Sequence, residues 1–156
     1  MRAAWQRART DATAGAVLGF PLLQEWQKLV LGLPDVPFRT LPAFAKGGRE
    51  RYGLSTDTPL VFDACLAESG DPDVPLAARA ARLCLDVCFF HPFHDGNGRA
   101  ALLALGFVLA RGDVLLDEAG PIQIRRYADD PAGAVSLARI IHTLASATER
   151  RGQRVP

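Results

Sequence analysis

Residues 91–100 read HPFHDGNGRA, and these ten positions hold most of the chemistry the chain can offer. His91 supplies an imidazole, neutral near pH 7 and the natural general base for a hydroxyl nucleophile. Asp95 offers a carboxylate able to ligate Mg2+, the ion that phosphate groups bring with them. Gly96 and Gly98 permit tight turns and close approach of a ligand to the backbone. Asn97 can donate its side-chain amide to a phosphate oxygen, and Arg99 can donate two parallel N–H groups. A base, a metal carboxylate and an anion cradle are the parts needed for displacement at phosphorus, where positioning and charge stabilisation do most of the catalysis. The plainer alternative is structural. Asp-Gly and Asn-Gly are common turn dipeptides, and a histidine at a helix end can simply pack. All of these residues in this order are harder to explain as a turn.

The elements that must position the loop read as helices. Leu76, Ala80, Leu83, Cys84 and Val87 form an apolar stripe that leads to His91. Pro75 suits the first turn of that helix, with Asp71 and Asp73 just upstream. RAALLALGFVLAR follows the loop and is apolar nearly all round, which predicts a buried helix. Its start beside the glycines gathers free backbone N–H groups into an anion site, and Gly112 reads as its stop. Upstream, residues 3–33 predict one or two helices broken at Pro21, with Leu22, Leu23, Trp26, Leu29, Val30 and Leu33 on an apolar face. Pro34, Pro37 and Pro42 forbid a long helix thereafter. AFAKGGRERY predicts two short extended pieces joined at Gly47-Gly48. A further helix is expected from Pro59 to Ser69, broken by SGDPD, and a last one begins at Asp130-Pro131. The tail from about residue 150 to 156 is expected to be mobile. The fold class is therefore mainly α, with at most one small hairpin.

Composition bounds the function. At 156 residues the chain fits one domain, 1–156, with a sizeable core. Its 49% hydrophobic and 22% charged content is ordinary for a globular protein. A net charge of +1, with no long Lys/Arg block, argues against nucleic acid as a partner. Sixteen of the eighteen basic residues are Arg, but they are scattered, which favours composition bias over a phosphate surface. Cys65, Cys84 and Cys88 fit a reducing compartment, and Cys84 and Cys88, one helical turn apart, read as core. No signal-peptide pattern or membrane span is visible, so a cytoplasmic protein is expected. His91, His94 and His142 make a poor transition-metal set, because Pro92 interrupts the helix between the first two. Arg125 and Arg126 read as a solvated pair able to meet a target or a donor base.

The loop resembles the signature of Fic-domain proteins, H-x-F-x-(D/E)-G-N-G-R-x-x-R, through His91, Phe93, Asp95, Gly96, Asn97, Gly98 and Arg99. The resemblance implies a Fic-type helical bundle with a small β-hairpin flap, its core running from about 37 to 144. It implies transfer of AMP, or another NMP, from ATP or another nucleotide to a hydroxyl of a target, generally a protein. His91 becomes the base that deprotonates that hydroxyl, and Asp95 holds Mg2+. Asn97, Arg99 and the backbone of Gly96 and Gly98 grip the donor phosphates, while Phe93 is buried and anchors the loop. FRTLPAFAKGGRERYG lies where the family's flap pins the target chain by strand addition, with Phe38 and Arg39 leading into it and Lys46, Gly47 and Gly48 at its tip. An ordinary surface loop is the other reading of this stretch.

Two departures bear on the activity. Leu102 replaces the signature's last arginine, which in typical AMP-transferring members reaches the donor's terminal phosphate. That absence resembles the Doc branch, which transfers a phosphoryl group, although that branch has Lys where this chain has Gly98. The family's inhibitory pattern (S/T)-x-x-x-E-(G/N) is also missing. TDATAG at 10–15 has Ala14 in place of the glutamate, and Glu149 in SATERRG stands at the wrong spacing from Ser146. A separate inhibitor protein is therefore an expected kind of partner. Three readings stay open: NMP transfer, Doc-like phosphoryl transfer, and a catalytically silent Fic-fold binding protein.

Overall fold

The alanines at 4, 8 and 12 explain how the first helix packs. They share one face of α1 (Arg2–Thr13), all buried, and let it lie close to a central helix. The other helices are α2 (Phe20–Leu31), α3 (Thr58–Glu68), α4 (Leu76–Phe90), α5 (Asn97–Ala110) and α6 (Pro131–Gly152). Strands β1 (Ala43–Ala45) and β2 (Glu50–Tyr52) form one antiparallel hairpin, with Ala43 opposite Tyr52 and Ala45 opposite Glu50. This computed structural model describes residues 1–45, 47–123 and 130–152; Lys46, Arg125 and Arg126 lie outside the described residues. The expected fold class holds: the described residues form six α-helices and a two-stranded hairpin.

The central helix is α5, as its apolar circumference requires. Ala100, Ala101, Leu103, Ala104, Leu105, Phe107, Val108 and Leu109 are all buried. α1, α2 and α4 pack around it, and α6 closes over α4. Gly106 lets α1 approach closely, because a β-carbon there would overlap the Trp5 ring. α1 and α2 are tied by a polar link, in which Arg7 Nε and the buried Trp26 Nε1 both donate to Asp11, the latter at 2.8 Å. Trp26 also lies against Phe107, with ring centroids 5.1 Å apart.

Three expectations need correction. Pro21 starts α2 and does not break a helix, because a proline in the first turn has no backbone N–H to leave unpaired; the break falls between Thr13 and Phe20. Leu29 and Leu33, placed on the apolar face, are 45% and 51% exposed. Gly112, by contrast, follows the end of α5 as expected, with Asp113 after it in the left-handed conformation (φ 58°) and a β-carbon at 112 meeting the Leu76 side chain. Finally, α6 runs through Gly152, and Arg150 and Arg151 belong to it. The Arg151 guanidinium pairs with Asp117, which ties the last turn to the segment after α5.

Candidate active site

The loop of residues 91–96 joins α4 to α5, and it stands on aromatic rings. Phe93 is fully buried and stacks on Phe20 with centroids 5.5 Å apart. Phe20 in turn meets Phe38 at 5.2 Å, and Phe38 meets Phe62 at 6.0 Å. Burying each such ring contributes roughly 1.5–3 kcal/mol, enough to hold a short loop in one place. Asn97, also buried, closes the loop on itself. Its Oδ1 accepts from the Phe93 N–H at 2.9 Å and its Nδ2 donates to the Phe93 carbonyl at 2.8 Å. An amide expected to reach phosphate thus clamps the peptide that precedes the cradle.

His91 ends α4 in the left-handed conformation (φ 47°, ψ 58°). Its Nδ1 lies 2.6 Å from the Cys88 carbonyl oxygen. A carbonyl can only accept, so Nδ1 carries the proton and Nε2 is the basic nitrogen. The imidazole stacks on Tyr52 of β2, with centroids 3.7 Å apart and planes inclined by 14°.

Arg39 holds the base's backbone to the hairpin. Its side chain is only 2% exposed. Nε donates to the His91 carbonyl at 2.6 Å, Nη2 to the carbonyls of Gly53 and Phe90, and Nη1 to that of Leu41. Its backbone N–H donates to Pro92. The guanidinium so satisfies terminal carbonyls of α4 and the strand ends of the hairpin together. Burial lowers its pKa from the ordinary value, and a guanidinium keeps its charge regardless. Phe38 and Arg39 therefore lead into the hairpin as expected, but neither presents its side chain to a docking partner: both face inward.

The cradle follows. Gly96 caps α5 with φ 75°, and its carbonyl accepts from the N–H groups of Arg99 and Ala100. The N–H groups of the first turn of α5 point out of its N-terminus, where the helix dipole favours an anion. A β-carbon on Gly98 would stand in open space. Arg99 Nη2 pairs with Asp95 Oδ2 at 3.1 Å, an exposed contact that a phosphate or a cation can replace. His94 is exposed, as its variable place in the motif suggested.

These groups share one cavity of about 710 Å3, a volume suited to a nucleotide-sized ligand. His91, Asp95, Gly96, Asn97, Gly98 and Arg99 line it together. The hairpin contributes Ala43, Phe44, Ala45 and Tyr52 to its rim, and Leu102 forms an apolar part of its wall. Cys84 and Cys88 also line it, so they are cavity residues as well as core. A hydrogen bond with Cys84 lowers the Cys88 thiol from its ordinary value against the opposing effect of burial. At the hairpin tip Gly47 and Gly48 have φ 68° and 84°, the turn that their pairing in sequence predicted.

Two residues of the site, and the role of a third, escaped the sequence reading. Tyr52 is one of only two tyrosines, and nothing local marks it as the neighbour of a histidine 39 positions on. Gln27 is fully buried in α2 and donates to the Asp95 carbonyl at 2.7 Å. The clamp by Arg39 depends on carbonyls from three separate segments, and periodicity carries no signal for it.

Comparison with known proteins agrees with this geometry. The model of the Fic/DOC family matches residues 39–109. No curated protein matches the sequence. Among solved structures, a Fic domain containing signaling protein from Bacteroides thetaiotaomicron superposes with a TM-score of 0.61 at 19% identity. The match covers 88% of this chain and 53% of that one, so the chain spans about half the length of that relative. At such identity the likeness establishes the fold, while the family match spans the loop and the helices on either side of it. Over residues 39–109 the chain is similar to the Fic/DOC family.

Proposed function

We propose that the protein is a Fic-type transferase that moves AMP, or another NMP, from a nucleotide donor to a hydroxyl of a protein target. One observation carries this reading: His91, with its proton fixed on Nδ1, lines the same cavity as the N-terminus of α5. His91 Nε2 takes the proton of the target hydroxyl. The hydroxyl oxygen forms a bond to the donor's α-phosphorus, the bond from that phosphorus to the bridging oxygen breaks, and pyrophosphate leaves. The first-turn N–H groups of α5 and the Arg99 guanidinium face the phosphates and offset the charge that builds on them.

Asp95 is the residue that would hold Mg2+. Among the described residues no three His, Cys, Asp or Glu gather to make a metal cage. A single carboxylate, 77% exposed at the cavity, fits an ion that takes most of its other ligands from phosphate and water. When bound, Mg2+ supplies charge neutralisation on the donor phosphates. The exposed Phe44 on β1, beside the cavity, is consistent with a target strand adding to the hairpin edge.

Leu102 favours a second reading. The cavity wall has no charge at that position for an outermost phosphate. A donor lying reversed would present its γ-phosphorus to the same hydroxyl, and a nucleoside diphosphate would leave. Incubation with each labelled NTP and a cell lysate, followed by mass spectrometry of modified proteins, separates the readings. An NMP adduct supports the first and a bare phosphate adduct the second. No His91-dependent adduct with any donor overturns both and leaves a binding protein.

A further inference from the structure

We infer that Tyr52 is a positioning residue for His91, so that the hairpin which would receive the target also sets the orientation of the base. The inference rests on the reading of His91 as the base.

His91 stands where α4 has stopped, beyond the helical backbone that would limit its rotamers. Its hydrogen bond to the Cys88 carbonyl fixes the Nδ1 edge of the ring. A hydrogen bond at one nitrogen fixes an edge of the ring, and what packs against its faces sets its plane. The face of Tyr52 sets that plane, because the two rings lie nearly parallel with centroids 3.7 Å apart. Tyr52 is itself held. Its hydroxyl donates to Glu50 Oε2 at 2.8 Å, and the next residue, Gly53, gives its carbonyl to Arg39. The same guanidinium takes the carbonyl of His91. The backbones that carry the two stacked rings are thus tied to one charged group.

The consequence is a coupling. A displacement of the hairpin moves the Tyr52 ring and frees the imidazole to turn. The Nδ1 hydrogen bond then weakens, and the tautomer with its proton on Nε2, which cannot accept the target's proton, gains population. A target seated on the hairpin secures both the nucleophile and the base that activates it.

The test compares Tyr52→Leu, which removes the flat ring, with Tyr52→Phe, which keeps the ring and loses the hydroxyl that bonds Glu50. The 15N chemical shifts of His91 report its tautomer without any need for turnover. Wild type and Tyr52→Phe are expected to hold the Nδ1-protonated form, and Tyr52→Leu to give a mixture. Where transfer is measured, Tyr52→Leu is expected to lower kcat about 10–100-fold with little change in donor KM, the scale of a misplaced group. Tyr52→Phe stays within about threefold of wild type. A Tyr52→Leu protein that keeps the wild-type tautomer overturns the inference, as does a Tyr52→Phe protein impaired as badly as Tyr52→Leu. If Tyr52→Leu does not fold, as judged by circular dichroism, Tyr52→Met takes its place. If wild type transfers nothing, the reading of function fails, and the 15N comparison still decides whether Tyr52 orients the ring.

Discussion

Gln27 and Asp95 are 68 positions apart, and the Gln27 Nε2 donates to the Asp95 carbonyl at 2.7 Å. The bond sets the residue before the turn at Gly96 and brings α2 against the cradle. It also fills the space above Gly96, so that a β-carbon there would lie 2.5 Å from Gln27 Nε2 and 3.3 Å from Leu31 Cδ2. With φ at 75°, any other residue meets both a steric and a backbone penalty. Gly96→Ala should destabilise the protein by about 2–3 kcal/mol and abolish donor binding. Urea melts and calorimetry with ATP check the two effects. Gly98→Ala should behave oppositely in stability. A methyl group there meets open space, and alanine is the better helix former by about 0.5–1 kcal/mol. Its melting temperature should rise slightly while donor affinity falls, because the methyl stands where a phosphate approaches.

Removal of the base must respect its backbone. His91 lies in the left-handed region, where alanine is strained and asparagine is tolerated. His91→Asn should therefore keep the melting temperature within a few degrees and lose about 10²–10⁴-fold in transfer, the usual contribution of a general base. Equal transfer by both proteins, with any labelled donor, would falsify the assignment.

Arg39 should be irreplaceable by lysine. Four carbonyls, those of Leu41, Gly53, Phe90 and His91, share its planar fork, and an ammonium cannot reach them all. Arg39→Lys should lose about 2–4 kcal/mol, since buried carbonyls are left unpaired. Hydrogen exchange should show the loss first at the hairpin and the end of α4. Protection unchanged there would mean the clamp is not what holds the two together.

Asp86 gives a pH signature away from the site. Burial raises its pKa to about 6, with Arg82 opposing and Glu68 adding to the shift. Its Oδ2 is buried without a hydrogen bond among the described residues. A carboxyl with a raised folded-state pKa binds more protons folded than unfolded, so stability falls as pH rises from about 4 through 6. Asp86→Asn should remove that fall. Its stability relative to wild type should improve between pH 4 and pH 7 by on the order of 1–2 kcal/mol, discounted for the partly solvated setting beside Arg82. Denaturant melts at the two pH values test the sign.

The loop was legible because its chemistry is contiguous in sequence. Residues 91–99 sit within reach of one another whatever the rest of the chain does, and a glycine pair before an apolar helix says where the anion end lies. The helices were legible through their periodicity, and the hairpin through Gly47-Gly48. The supports were not. Asn97 looks like a ligand donor in sequence, and only its burial against Phe93 reveals a clamp. Arg39 looks like a surface arginine until four carbonyls converge on it. Pro21 was misread because a proline that forbids a helix interior also suits a helix's first turn.

Leu102 is the position at which the two proposed chemistries can be tested against each other. It lies three residues after Arg99 on α5, and both line the cavity, so the two occupy neighbouring positions on one helix face. A leucine there offers an outermost phosphate no charge and no hydrogen bond. A donor in the AMP-transfer orientation would have its terminal phosphate held by Arg99, the loop and Mg2+ alone. Leu102→Arg should add a charge-assisted contact and tighten ATP binding by about 1–3 kcal/mol, roughly 5- to 150-fold. It should also raise NMP transfer relative to phosphoryl transfer, because a phosphate gripped at position 102 draws the α-phosphorus toward His91. Calorimetry with ATP on both proteins, and the ratio of adducts by mass spectrometry, read the two effects separately. Tighter binding with an unchanged ratio would mean that position 102 reaches the donor without orienting it. Unchanged affinity would mean that it does not reach the donor at all, and the choice of chemistry would then rest with the loop.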